Sequence, residues 1–204
     1  AVTSGTDNTA VGDNAAGAVS TGADNTAVGS GALVTEDTGT RNTAVGSSAL
    51  GTLNYDGAGY NTAVGYNAGT GITTGILNTA VGSLALDAST IGRYNTALGY
   101  QALSTDIDGD FSTAVGYGTL ATQESDGANQ AVYNTAVGSY AGNGLTTAIH
   151  STFLGGFAGG NAAVTGDNNT GVGYRSMYSN TSGSENTGLG KDALYSNTVG
   201  LYNT

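Results

Sequence analysis

The sequence predicts an all-β fold, a parallel β-solenoid or β-roll that is elongated and oligomeric. The phrase Asn-Thr-Ala-Val-Gly recurs along the whole 204-residue chain, and eight of the eleven spacings between successive copies are 17 residues. A fixed short period is typical of proteins in which each repeat forms one coil. No stretch has a sustained apolar stripe of helical period, so we expect essentially no helix. Residues 1–204 are therefore predicted to be a single repeat domain of about eleven coils, which can be a segment of a longer fibre.

Each position of the phrase holds nearly the same residue in every copy. Thr is second in all twelve copies, Val or Leu is always fourth, and Gly ends all eleven complete copies. Such strictness suits coils that stack like residue on like residue. The copies begin at Asn8, Asn25, Asn42, Asn61, Asn78, Asn95, Ser112, Asn134, Ser151, Asn169, Asn186 and Asn203.

The two faces of the predicted strand follow from the alternation of side chains. Thr and Val point to one side of a strand, and Asn and Ala point to the other. Because Val or Leu is the larger apolar residue, we place Thr and Val inside and expect the small Ala outside. In this arrangement Val81→Asp would be severely destabilising, and the outward Ala would permit close lateral contact with another copy.

The remainder of each coil is predicted from glycine and from a second apolar pair. Gly after Val is interpreted as a corner, since glycine adopts backbone angles that other residues avoid. The leading Asn is also interpreted as a corner residue, since Asn tolerates left-handed geometry. Pairs such as Ala32-Leu33 and Ala102-Leu103 predict a second short strand, which gives two or three strands per coil.

Three spacings are longer than 17 residues, and they indicate insertions at one part of the coil. The extra residues lie within 51–60, within 121–133 and near 160–168. Insertions in repeat proteins map to surface loops, commonly on one face. Tolerated drift and a decorated edge that touches a partner both remain open.

The charge and composition exclude several classes of partner. The net charge is −11, and only Arg41, Arg93, Arg175 and Lys191 are basic. Nucleic-acid binding is driven by phosphate neutralisation, so this balance argues against it. No apolar run approaches 18 residues, so we expect no membrane insertion. The chain has no Cys, which excludes disulfides and cysteine nucleophiles.

One dense acidic cluster is the candidate metal site. Asp106, Asp108 and Asp110 alternate in a predicted turn. Carboxylate oxygens in a loop suit a hard cation such as calcium, although the spacing does not fit an EF-hand. The alternative is a solvated acidic corner.

We identify no catalytic site or organic cofactor, and we expect no enzyme. His150 is the single histidine, and no motif supplies it with the partners of a triad or a zinc site. Tyr recurs just after the corner Gly and just before the Asn position, as at Tyr100 and Tyr94. Neighbouring coils would bring such rings within stacking distance. An exposed row of Tyr would also suit contact with sugar rings.

The stretch Asn95–Leu103, which reads NTALGYQAL, resembles the NTAVGYxAL-type repeats of bacteriophage tail-fibre proteins. It is also similar to the head repeats of trimeric autotransporter adhesins, although the phrase is one residue shorter and the period is longer. The resemblance extends over nearly the whole chain. It implies a parallel β-roll or β-solenoid, trimerisation, and an attachment role outside the cell, on an extracellular or virion surface.

Two functional hypotheses follow. The first is a non-enzymatic extracellular fibre or adhesin segment that attaches to a cell-surface glycan or protein receptor. The second is a structural subunit of a self-assembling extracellular filament. Both include self-association as a homotrimer or filament, and we expect the uncapped repeats at both ends to be covered by further chain or by neighbours. Ice binding is a third hypothesis, which the inward placement of Thr and the single Thr per coil disfavour.

Overall fold

The computed structural model describes residues 4–125, 127, 130–160 and 163–204, and these form a parallel β-solenoid. Each coil contributes one strand of three residues. Parts of the predicted insertions, at 126, 128–129 and 161–162, lie outside the described residues. The strands are β1 (Thr9–Val11), β2 (Thr26–Val28), β3 (Thr43–Val45), β4 (Thr62–Val64), β5 (Thr79–Val81), β6 (Thr96–Leu98), β7 (Thr113–Val115), β8 (Thr135–Val137), β9 (Thr152–Leu154), β10 (Thr170–Val172) and β11 (Thr187–Leu189).

All eleven strands belong to one parallel sheet whose spatial order is the sequence order. Thr pairs with Thr at every step, as in Thr9 with Thr26, and Val or Leu pairs with Val or Leu. No described residue is helical. The predicted solenoid with coils of about 17 residues is therefore confirmed. Ten intervals at about 4.8 Å give the sheet a length of about 48 Å.

The prediction of which strand face is buried was wrong. Ala27, Ala44 and Ala97 have no exposed surface, whereas Val64 and Val81 are each 37% exposed. The coil is too narrow to hold Val at this position, because the interior is already filled from the opposite side by the second apolar pair and by the residue three positions after that pair. Ala fits, and Thr and Val are turned outward.

From Asn25 to Asn186 the leading Asn side chains are buried, and they tie each coil to the next. Asn78 Oδ1 accepts a hydrogen bond from the backbone N–H of Asn95 at 2.9 Å. Asn78 Nδ2 donates to the carbonyl oxygen of Gly92 at 2.8 Å. The same pair of bonds recurs at Asn61 and at Asn25, each to the equivalent groups of the next coil. This ladder satisfies backbone groups inside the coil, and it explains why a polar side chain faces inward.

The second apolar pair forms a turn and not the predicted second strand. Leu33 and Leu103 are fully buried, but both have a left-handed backbone, with φ of 52° and 53°. The N–H of Leu33 donates to the carbonyl of Ala49 in the next coil at 3.0 Å. Among the described residues, pairing outside the eleven strands is limited to three isolated bridges.

The corners also differ in part from the prediction. Gly after Val is left-handed as expected, with φ of 138° at Gly99. The other left-handed corner is the residue before Asn and not Asn itself. This column accepts many residue types at φ of 49° to 64°. It comprises Asp7, Asp24, Arg41, Tyr60, Leu77, Tyr94, Phe111, Tyr133, His150, Asn168, Glu185 and Tyr202.

One coil replaces the buried Ala by Phe153, and glycines make room for its ring. An added Cβ at Gly159 would lie 2.6 Å from the ring, and one at Gly171 would lie 2.8 Å from it. These two positions usually hold a buried Leu or Ala in other coils. The interior volume is therefore conserved by exchange between neighbouring coils, as close packing requires.

Candidate functional site

The left-handed corner before Asn carries a continuous stack of rings, which we call the corner ladder: Tyr94, Phe111, Tyr133 and His150. Ring centroids are 4.7 Å apart between Tyr94 and Phe111, 4.9 Å between Phe111 and Tyr133, and 5.7 Å between Tyr133 and His150. Planes of neighbouring rings differ by 2° to 23°. The spacing between coils sets this geometry, because the rings occupy the same position in successive coils. The predicted stacking is confirmed.

The corner ladder offers a partner its ring edges and hydroxyl groups. Stacking occupies the ring faces within the ladder, while about half of Tyr94 and Tyr133 stays exposed, at 46% and 51%. An exposed aromatic strip of this kind is a common feature of binding surfaces. Sugar hydroxyls can pair with the Tyr hydroxyls, and apolar sugar faces can contact the ring edges.

The same corner column continues toward the N-terminal coils with charged groups. The guanidinium of Arg41 lies 5.5 Å from the ring centroid of Tyr60, and its Nη1 donates to the Tyr60 hydroxyl at 3.0 Å. Arg41 Nε is 3.6 Å from a carboxylate oxygen of Asp24. Along the column from Asp24 to Tyr60, the corner thus presents a carboxylate, a cation and a phenol in succession, all on exposed side chains.

A second row of rings lies one or two residues after the corner Gly, and we call it the turn ladder: Tyr100, Tyr117, Tyr140, Phe157 and Tyr174. Its contacts alternate between stacked and edge-to-face, with centroids 5.0 to 6.2 Å apart. A hydrogen bond with Tyr117 raises the pKa of Tyr140. Arg175 then lies over the rings of Tyr174 and Tyr195, at 5.0 and 5.2 Å. This less regular geometry presents ring faces as well as edges.

The predicted metal ligands lie close together in sequence but are bonded to the protein. Asp106 is buried, and its oxygens accept hydrogen bonds from Gln123 Nε2 and from the backbone N–H of Gly109 and Ser125. Asp108 accepts from the Ser125 hydroxyl. Among the described residues, no group of three His, Cys, Asp or Glu side chains is arranged to hold a metal ion. The cation site at Asp106, Asp108 and Asp110 stays a prediction.

Asp110, the third member of this cluster, is turned toward the preceding coil. Its Oδ1 accepts from the backbone N–H of Arg93 at 2.7 Å. Burial raises the pKa of Asp110, and the neighbouring carboxylates of Asp106 and Asp108 add to that effect. The Arg93 N–H opposes it.

One buried column mixes apolar and polar residues, which sequence reasoning missed. Val19, Glu36, Leu53, Asp106 and Gln123 occupy equivalent positions of different coils, and all are buried. The Glu36 carboxylate accepts from the backbone N–H groups of Gly39 at 2.8 Å and Asp37 at 3.1 Å. Burial nevertheless raises the pKa of Glu36, since desolvation of the charge outweighs these bonds.

Gln123 bridges the Asn ladder where Ser112 interrupts it. Its Nε2 donates to the Ser112 hydroxyl at 2.9 Å, and its Oε1 accepts from Asn134 Nδ2 at 3.0 Å. The Gln123 amide therefore links Ser112 to the Asn134 side chain of the next coil. The signal in the sequence was the coincidence of the Ser substitution and a Gln in the same coil.

Comparisons with known proteins identify no relative of this chain. No protein-family model matches the chain, and neither a curated protein nor a solved structure matches it. The described part of the chain has no helix of the length and apolar character needed to span a bilayer.

Proposed function

We propose that this chain is a non-enzymatic segment of an extracellular attachment fibre, which binds a cell-surface glycan or receptor protein. The corner ladder is the observation that carries the proposal. It places three aromatic rings and His150 in one exposed row, in a chain with 15 aromatic residues other than His. Folding of the solenoid does not demand rings there, because Asp24, Asn168 and Glu185 occupy the same column in other coils.

The rod supports this role mechanically. Each coil is joined to the next by in-register strand pairing and by the buried Asn ladder. The repeated contacts keep the rings at a fixed spacing, so a receptor meets a pre-organised row and loses little affinity to ordering. An extracellular or virion-surface location, with phage tail fibres and bacterial adhesins as the two contexts, belongs to the same proposal.

A glycan array probed with the whole chain tests the proposal. Tyr133→Phe removes one hydroxyl from the corner ladder and keeps the stack, because Phe111 already occupies this column. We expect weaker glycan binding and an unchanged melting temperature. Tyr66→Phe is the matched control, since Tyr66 is 57% exposed and lies outside the corner ladder.

The proposal fails if the chain binds neither the array nor intact cells that carry protein receptors. Equal losses of glycan binding in Tyr133→Phe and Tyr66→Phe would show that the corner ladder is not the binding surface. The second candidate function is a structural subunit of a self-assembling filament. The long uncharged outer face of the sheet favours lateral assembly of such a subunit, and polymers without any glycan binding would support it over attachment.

A further inference from the structure

The outer face of the sheet is an uncharged strip that runs the length of the described solenoid. We call it the Thr/Val face: the first and third residues of strands β1–β11. It has one rank of Thr and one rank of Val or Leu, without a charged residue. Val64, Val81 and Leu154 are 37%, 37% and 47% exposed. A continuous rank of exposed apolar side chains on a protein surface is typical of an interaction site.

The Thr hydroxyls of this face are not used inside the protein. Within the described ranges, no hydrogen bond joins a strand Thr hydroxyl to another group of the chain. In contrast, Thr35 donates to the carbonyl oxygens of Gly51 and Leu53, and Thr105 donates to those of Ala121 and Gln123. The strand Thr rank is therefore free to bond to something outside the coil.

The repetition along the face limits what can bind to it. Other exposed columns change freely from coil to coil, as the corner column does between Asp24, Tyr94 and His150. The Thr/Val face is the same at every step, so only a partner with the same repeat can use its full length. A second copy of this chain has that repeat.

Charge favours a second copy at this face over other sides of the rod. Two copies each carry a net charge of −11 and repel where charged columns meet. At the Thr/Val face no charge is desolvated and none opposes a like charge. The surface is self-complementary, since Val or Leu packs on Val or Leu while Thr hydroxyls pair with one another or with water.

The area is compatible with reversible association. A length of about 48 Å and a width of about 10 Å for three strand residues give a footprint of about 500 Å² per copy. Two copies would bury about 1,000 Å² in total, which is at the lower limit for a specific interface. Association of the chain is therefore expected to depend on concentration.

We propose that the Thr/Val face is the surface through which copies of this chain associate side by side. This assignment replaces the Ala column, which is buried and cannot make the lateral contact predicted from the sequence. The inference does not depend on glycan binding by the corner ladder, so the two proposals can fail separately.

Sedimentation velocity over a range of protein concentrations tests this inference. The wild-type chain should show a sedimentation coefficient that rises with concentration. Val81→Glu should shift the association midpoint to at least about tenfold higher concentration, because a carboxylate enters an apolar contact. Leu77→Glu is the matched control, being 39% exposed in a column that already accepts Glu185 at the same left-handed corner, and it should leave the midpoint unchanged.

Circular dichroism establishes that each variant is folded, and Val81→Thr replaces Val81→Glu if the latter unfolds. Val81→Thr keeps strand propensity and removes apolar contact, so it should also weaken association. A wild-type chain that is monomeric at every concentration would overturn the proposal, as would equal effects of Val81→Glu and Leu77→Glu. A monomer that slows ice growth would also overturn it, since the face would then bind ordered water.

Discussion

Replacing Asn78 by Ala should reduce the stability of the solenoid by several kcal/mol, although it removes only one small side chain. The change leaves two buried backbone groups without partners: the N–H of Asn95, now bonded at 2.9 Å, and the carbonyl of Gly92, now bonded at 2.8 Å. An unsatisfied buried donor or acceptor costs about 1–3 kcal/mol. The expected loss in the free energy of unfolding is therefore about 2–6 kcal/mol.

Urea denaturation followed by circular dichroism measures this loss. Asn54→Ala is the control, because Asn54 is exposed and its substitution should change stability by less than about 0.5 kcal/mol. Asn78→Asp keeps an acceptor for Asn95 but places a carboxylate against the carbonyl of Gly92, so it should also be destabilising at neutral pH. A loss below about 1 kcal/mol in Asn78→Ala would refute the view that the Asn ladder holds the coils together.

Three further predictions concern the interior and the acidic cluster. Phe153→Ala should cost about 3–5 kcal/mol, because the flanking glycines cannot fill the cavity; an unchanged calorimetric melting temperature would contradict this packing. Glu36 has a folded pKa above its ordinary value of 4.5, so the unfolded state loses this proton first and stability falls as pH rises from 4.5 toward the raised pKa. Glu36→Gln should therefore reduce the stability lost between pH 4 and pH 7, and an unaltered pH profile would refute the assignment. If a cation binds the acidic cluster of Asp106, Asp108 and Asp110, calcium should give heat in titration calorimetry and raise the melting temperature. The absence of both effects would rule out this site.

The period and the strand position could be predicted from the sequence, because like residues must stack when coils repeat. The buried face could not be predicted from side-chain size alone. Val is the more apolar residue of the phrase, but the space inside the coil behind the strand is limited by Leu33, Leu103 and their equivalents, which enter from the opposite turn. The narrow cross-section therefore selects Ala, and only the closed coil reveals that width.

The candidate site was likewise predictable from the sequence only in part. The stacking of Tyr94 and Tyr133 with their neighbours followed from the period, since equal positions recur one coil apart. The hydrogen-bond partners of Asp106 could not be predicted from the period, because Gln123 and Ser125 reach it across a coil boundary. Nothing in the local acidic pattern indicates those donors. A left-handed Leu33 was also unexpected, since glycine is the usual residue for that backbone.

The orientation of the strand faces is tested most directly by the chemical accessibility of two neighbouring residues of β6. The chain has no native Cys, so Thr96→Cys and Ala97→Cys each introduce a single thiol. In dilute native protein, Thr96→Cys should react with a maleimide as an exposed thiol does. Ala97→Cys should react about 100-fold more slowly until urea is added, because a buried coil must open by about 3 kcal/mol or more. Equal rates, or a faster reaction at position 97, would contradict the outward Thr/Val face.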